Sequence, residues 1–278
     1  MKQIFDTVSA TCSKEVTKAY STSFSLGIYF LNKKMHNAIY GIYGFVRLAD
    51  EIVDSFHGYN KEQLMQSFRV DTFIAINQKI SLNPILNEFQ RTVNRYNINQ
   101  ELIDTFLKSM EMDLEQKTHN QLSYNNYILG SAEVVGLMCL KVFVDGDDAK
   151  YEQLKPFAVK LGAAFQKINF LRDLKDDYEI LGRNYFPGID FKQFSQKQKE
   201  VIEKEIEADF NEALIGIRLL PAESRRGVYL AYYYYRKLFS KIKNTPAEKL
   251  MDQRIRIADL HKLGLMFSSL LRNQMNLL

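Results

Sequence analysis

Helix-breaking residues are scarce in this 278-residue chain: it holds 13 glycines and 5 prolines, and it has no tryptophan. That scarcity leaves room for long helices. Two cysteines, Cys12 and Cys139, are too few and too separated for a disulfide framework or a paired-cysteine metal site, which points to a reducing compartment. The four histidines (His36, His57, His119, His261) show no Glu-x-x-His pairing, so a ferritin-like or oxygenase di-iron centre is not expected. There is no Gly-x-Ser-x-Gly elbow for a nucleophilic serine and no glycine-rich phosphate loop after a strand. No apolar run reaches the ~18 residues of a membrane span, and the polar start MKQIFDTVSATCSKEV does not read as a secretory signal. The expectation is a cytoplasmic protein, soluble or at most attached to a membrane surface. A net charge of only +4 without a long basic tract argues against a nucleic-acid partner.

What is present is helical. Apolar residues make up 46% of the chain, and 16 tyrosines and 19 phenylalanines supply abundant π surface. Apolar positions recur with helical period almost throughout. They predict helices near 11–20, 34–57, 61–80, 85–96, 99–118, 122–144, 150–179, 198–216, 221–243 and 247–272. Asn83-Pro84, Asn97, Asp145-Gly146-Asp147-Asp148 and the loop Gly182 to Gly188 punctuate them. Without alternating strands or internal repeats, the simplest architecture is one all-α domain over 1–278, a helical bundle.

Two acidic pairs stand out within these patterns. Asp50 and Asp54 lie in RLADEIVD, and Asp173 and Asp177 lie in FLRDLKDD. Each pair is one helical turn apart, where like charges destabilise a helix by a few tenths of a kcal/mol. Tyr43 and Arg47 extend the first pair into one stripe, and Gln166 and Asn169 extend the second. The remaining faces of both helices are apolar, so the stripes are expected to line a cavity or a site. The plain alternative is a salt-bridge network between two core helices, but few basic residues flank the pairs on the same face, and acidic side chains are seldom buried unpaired.

Opposed carboxylates suit a hard cation such as Mg²⁺, which bridges protein oxygens to substrate phosphates. Asn169 could add a neutral oxygen, and Arg47 and Arg172 could grip phosphate. Between the stripes, YILGSAEVVGLMCLKVFV carries Gly130, Ser131, Ala132 and Gly136 on an otherwise apolar helix. Small residues there serve either tight helix packing or close approach of a ligand, and both readings stay open.

YSTSFSLGIYFL, YGIYGFVRLADEIVD, YILGSAEVVGLM and FQKINFLRDLKDD, in that order along most of the chain, resemble the squalene/phytoene synthase family. The resemblance implies an isoprenoid-synthase helical bundle around a central active-site cavity. It implies Mg²⁺-dependent head-to-head joining of two prenyl diphosphates through a cyclopropyl diphosphate, with Mn²⁺ as the substitute metal. By matching motif it makes Asp50, Asp54, Asp173, Asp177 and Asn169 metal ligands. Ser21, Ser23, Phe24, Arg47, Gln166, Arg172, Arg183 and Tyr185 fall to the substrate, with Tyr43 and Tyr127 at the reacting end. Arg254 and Lys262 have the eight-residue spacing of a C-terminal phosphate-binding pair. Tyr235 matches a tyrosine upstream of it, although Tyr232, Tyr233, Tyr234 and Tyr235 leave the register open. Phe24, Tyr43, Tyr127 and Phe165 are candidates to stabilise an allylic cation through their ring faces.

Two departures accompany the likeness. Thr22 stands where some bacterial members carry lysine, and Glu133 stands where many carry glycine, a change that either alters the cavity or faces another helix. DEIVD looks more like phytoene synthases, which favours two geranylgeranyl diphosphates giving phytoene for carotenoid biosynthesis. The rival is squalene or dehydrosqualene formation from farnesyl diphosphate, and NADPH is called for only if the squalene alternative holds. A different class is a non-catalytic helical scaffold or assembly partner. The apolar, mildly basic end LGLMFSSLLRNQMNLL could lie on a membrane surface, where a hydrocarbon product would be delivered.

Overall fold

The computed structural model describes residues 1–115, 118–189, 194–252 and 254–256. It is all-α: among the described residues there is no strand, only an isolated bridge between Thr118 and Asn184. The helices start where short polar side chains can cap free backbone N–H groups. Asn32, Asn60, Asn83 and Asp147 cap α3 (Lys33–Asp54), α4 (Lys61–Gln78), α5 (Pro84–Tyr96) and α9 (Asp148–Arg172). Asn120 and Ser195 form capping boxes for α7 (Gln121–Ile128) and α11 (Gln196–Leu219). Pro84 opens α5 at a position whose N–H needs no partner.

Differences from the sequence expectation have local causes. α1 runs Lys2–Tyr20, well before the expected start at 11, because its buried face is Ser9, Ala10, Ser13 and Thr17 rather than large apolar residues. α2 (Thr22–Tyr29) was not expected at all. Its Ser- and Gly-rich sequence is a weak helix former, and tertiary contact holds it. A Cβ on Gly227 of α12 (Ala222–Lys243) would lie 2.6 Å from the Gly27 carbonyl oxygen, so Gly227 lets these helices touch. The expected helix 150–179 breaks at Asp173, leaving α10 (Leu174–Glu179) as a separate short turn. α13 covers only Ala247–Leu250 before a turn at Met251; most of the expected 247–272 helix lies outside the described residues.

The expected helix 122–144 is α7, a π-helical turn Leu129–Glu133 and α8 (Val134–Phe143). Tyr127, Ser131, Val135, Cys139 and Phe143 form an i+4 stripe that stays on one cavity wall throughout. Four residues at about 100° each overshoot a turn by about 40°, so a regular helix would carry such a stripe off the face. A wider π turn takes back part of that drift.

α3 runs through the core. Its Phe45 ring stacks on Phe89 at 3.8 Å between centroids and meets Phe106 of α6 (Gln100–Glu115) at 5.3 Å. α9 packs on α8, α11 and α12. Between α2, α3, α8, α9, α11 and α12 lies a cavity of about 360 Å³.

Candidate active site

The cavity is greasy along its length and polar at one end. Ile39, Ile42, Leu140, Phe157 and Leu161 belong to its apolar lining, whereas Arg47, Asp50, Gln166 and Asn169 are the charged and amide groups that reach it. Phe24, Tyr43, Tyr127, Phe165 and Tyr235 supply aromatic faces. The small-residue segment packs against helices and also lines the cavity. A Cβ on Gly130 would sit 2.5 Å from the Cβ of Ser109, so Gly130 serves the contact with α6. Ser131, Ala132 and Gly136 line the cavity. Glu133 does not: it faces Lys160, Lys167 and Asp209, and burial lifts its carboxyl to about 7.

The two acidic stripes converge. Asp54 and Asp173 both raise the affinity of the Asp177 carboxyl for its proton, which burial first and then their repulsion push up to about 8. Asp50 is pushed up to about 7, by burial and by Asp54, against the pull of Arg47. Its side chain keeps 37% of its surface exposed, so solvent moderates that shift. Carboxylates from α3 and from the α9–α10 junction therefore share one electrostatic neighbourhood.

The expectation that few basic residues attend these pairs is corrected. Arg47 binds Asp50 and Glu51 of its own helix. Arg183 donates from Nη1 to Asp54 Oδ1 at 2.7 Å. Arg172 holds Asp173 through Nε at 2.9 Å and Nη2 at 2.5 Å, and Arg254 Nε lies 2.6 Å from Asp173 Oδ1. Sequence could not show this face because Arg183 comes from a loop and Arg254 from near the C-terminus. The pattern still differs from a salt-bridge network between two core helices: no described ion pair joins α3 directly to α9, and Asp177 has no ion pair among the described residues.

The donor set fits a divalent cation. It offers hard carboxylate oxygens from two elements, an asparagine oxygen, and negative charge that the arginines leave partly unbalanced. Among the described residues, no group of three or more His, Cys, Asp or Glu side chains is already gathered closely enough to hold a metal. Binding would draw the aspartates off their arginines, which would then be free for phosphate.

The remaining sequence candidates fall as follows. Tyr235, and not its three preceding tyrosines, reaches the cavity; it stacks on Phe165 at 3.8 Å and donates to Asn169 Oδ1 at 3.2 Å. That bond orients the asparagine oxygen, and burial, against the pull of Arg172, pushes the Tyr235 hydroxyl up to about 12. Asn169 Nδ2 reaches Gln166 Oε1 at 3.5 Å. Ser21 caps α2, accepting from Phe24 N at 3.2 Å, and bonds the Tyr43 hydroxyl. Ser23 is half-buried and does not line the cavity. Tyr185 stacks on Phe170 at 4.3 Å. Lys262 and the segment 263–278 lie outside the described residues.

Sequence reading missed Asp113. This buried residue of α6 accepts from the Tyr127 hydroxyl at 2.6 Å and from the Tyr185 hydroxyl at 3.2 Å. A signal existed: Ile103, Phe106, Met110 and Asp113 step by three, four and three, which puts an acid on a buried apolar stripe. His119, its ring 5.4 Å from those of both Tyr127 and Tyr185, was also missed.

The squalene/phytoene synthase family profile matches residues 17–261. A presqualene diphosphate synthase of Zymomonas mobilis is 31% identical over 191 residues, covering 66% of this chain and 62% of that one. A chloroplastic phytoene synthase 1 of Zea mays is 25% identical over 255 residues, covering 82% and 60%. The chain thus spans about 60% of the length of these curated relatives. A 4,4'-diapophytoene synthase of Staphylococcus haemolyticus is 23% identical over 256 residues, covering 82% and 85%. The crystal structure of a dehydrosqualene synthase in complex with ligand superposes with a TM-score of 0.84 at 20% identity, over 97% of this chain and 98% of that one. At that identity the likeness shows the fold.

Proposed function

The chain belongs to the squalene/phytoene synthase family, and from that premise we propose that it is a prenyltransferase joining two prenyl diphosphates head to head. The observation that carries this reading is Asp50 at the polar end of an apolar cavity, with Asp54 of the same helix and Asp177 of the second acidic pair brought together through Arg183, which binds the Asp54 carboxylate and the Asp177 carbonyl at 2.7 Å each. Asp50, Asp54, Asn169, Asp173 and Asp177 would hold Mg²⁺. A divalent cation there would supply Lewis acidity toward the departing diphosphate.

The protein's own groups do the rest. Arg47 and Arg172 bind phosphate oxygens, where a planar guanidinium suits the geometry. Tyr235 fixes the Asn169 oxygen. Phe24, Tyr43, Tyr127 and Phe165 keep water out and present ring faces toward positive charge, worth up to about 2 kcal/mol when desolvated. Arg183 and Tyr185 hold their loop against Asp54 and Asp113.

For the substrate we propose geranylgeranyl diphosphate, giving phytoene. The DEIVD motif supports this, as does the match to phytoene synthases over 82% of the chain. A second reading, two farnesyl diphosphates, is favoured by the Zymomonas presqualene diphosphate synthase at 31% identity. Purified protein with Mg²⁺ and each prenyl diphosphate, analysed by product mass, separates them. A 40-carbon hydrocarbon from geranylgeranyl diphosphate is expected. Product from farnesyl diphosphate alone would move the assignment to the second reading, and no condensation from either would remove both.

A further inference from the structure

We propose that Asp113 is a positioning residue that latches the loop 182–189 over the acidic site and fixes the Tyr127 hydroxyl in the cavity wall. This rests on the functional reading above and names a device within it.

One buried carboxylate gathers three segments of the chain. Oδ2 accepts from Tyr127 at 2.6 Å, on the last turn before the π-helical segment. Oδ1 accepts from Tyr185 at 3.2 Å, in the loop. Arg183 is held twice: Nη1 lies 3.8 Å from Oδ2, and Nη2 donates to the Asp113 carbonyl at 3.3 Å. The same Arg183 Nη1 reaches Asp54, and its backbone N–H donates to the Asp177 carbonyl at 2.7 Å. The loop is thus tied to both acidic stripes, and Asp113 anchors it from beneath. The rings join in: Tyr185 lies 4.9 Å from Tyr127 and stacks on Phe170.

A carboxylate whose side chain is 4% exposed is expensive to bury. An apolar residue would fill the space with less desolvation, so stability does not account for the acid. Its two oxygens accept from two tyrosine hydroxyls, which an apolar residue would leave without these acceptors, and its charge faces the Arg183 guanidinium. The cost is explained by placement: Tyr127 and Arg183 are held at fixed distances from the cavity and from Asp54.

The test uses the full chain with Asp113→Asn and Tyr185→Phe, singly and together. Hydrogen exchange of the loop in substrate-free protein reads the latch without the reaction. Protection over 182–189 should fall in both single variants, while the core helices stay protected. The turnover number should drop about 10- to 100-fold in Asp113→Asn with KM changed less than about threefold, the scale of an approximately 1 Å misplacement. The double variant should lose no more than about the worse single one, because both act through one contact. Unchanged loop exchange in both single variants would overturn the proposal, as would fully multiplicative losses. If Asp113→Asn does not fold, Tyr185→Phe carries the same test alone. A wild type with a protected loop but no condensation activity would sink the functional reading and leave the latch standing.

Discussion

Arg183 and Asp54, 129 residues apart in the chain, meet at 2.7 Å between guanidinium nitrogen and carboxylate oxygen. The arginine is therefore a built-in counter-ion for one of the carboxylates assigned to metal. Any cation arriving at Asp54 competes with it. Removing that competitor with Arg183→Gln is expected to tighten metal binding about fivefold, the effect of about 1 kcal/mol between unit charges near 4 Å in a high-dielectric setting. Turnover should fall at the same time, because the loop loses its tie. Calorimetric titration with Mg²⁺ and steady-state kinetics check the two parts.

Replacing an aspartate of the cluster should separate activity from stability. Asp50→Asn and Asp177→Asn are each expected to lower turnover by more than about 10³-fold. The same changes remove a carboxyl whose charge is disfavoured in place. The metal-free variants should melt at the wild-type temperature or above it, a gain of about 1 kcal/mol corresponding to roughly 2–4 °C. Circular dichroism melts alongside product assays give both quantities. An active Asp50→Asn would take that residue out of the site.

The direction of the pH dependence follows from the raised carboxyls. Asp50 at about 7 and Asp177 at about 8 hold protons in the folded state that the unfolded chain releases near 4. Their contribution to stability is complete below that value and is lost as pH rises through 7 to 8. The lowered carboxyls Asp6, Glu51 and Asp147 act in the opposite sense but at the acid end, outside this window. Metal-free protein should therefore melt at progressively lower temperature between about pH 6.5 and 8.5, above the range in which His119, whose buried ring resists protonation, acts in the opposite sense. Mg²⁺ should restore more of the melting temperature at the high end, where the carboxylates are ionised. Scanning calorimetry across that range, with and without Mg²⁺, tests both statements.

Gly130 tests the close contact between the π turn and α6. An added Cβ would lie 2.8 Å from the Thr105 carbonyl oxygen as well as against Ser109. Gly130→Ala should destabilise the protein by about 1–3 kcal/mol, although Gly to Ala inside an exposed helix usually stabilises. A urea titration shows which applies.

Much of this was legible in sequence because helical periodicity is a strong local signal and the stripes at Asp50 and Asp173 interrupt apolar faces. The all-α class and most helices follow from the first, and the second singles out the two acidic pairs without showing how their helices meet. α2 is illegible in periodicity because its close packing on Gly227 of α12 holds it rather than local propensity. The break at Asp173 was hidden because its apolar phase continues into Leu174. The family motif marks Arg183 and Arg254 for phosphate, but their ion pairs with Asp54 and Asp173 depend on the chain's path, which no window on the sequence samples. Asp113 was overlooked as one acid among several in EMDLE, although its place on a buried stripe marked it.

The most direct test of the central claim is calorimetric binding of inorganic diphosphate to the wild type and to Asp177→Asn, each with and without Mg²⁺. Binding by the wild type that requires Mg²⁺, and its loss in the variant, is the result expected if the converging aspartates hold metal and diphosphate together. Equal binding without metal, or binding unaffected by the substitution, would contradict it.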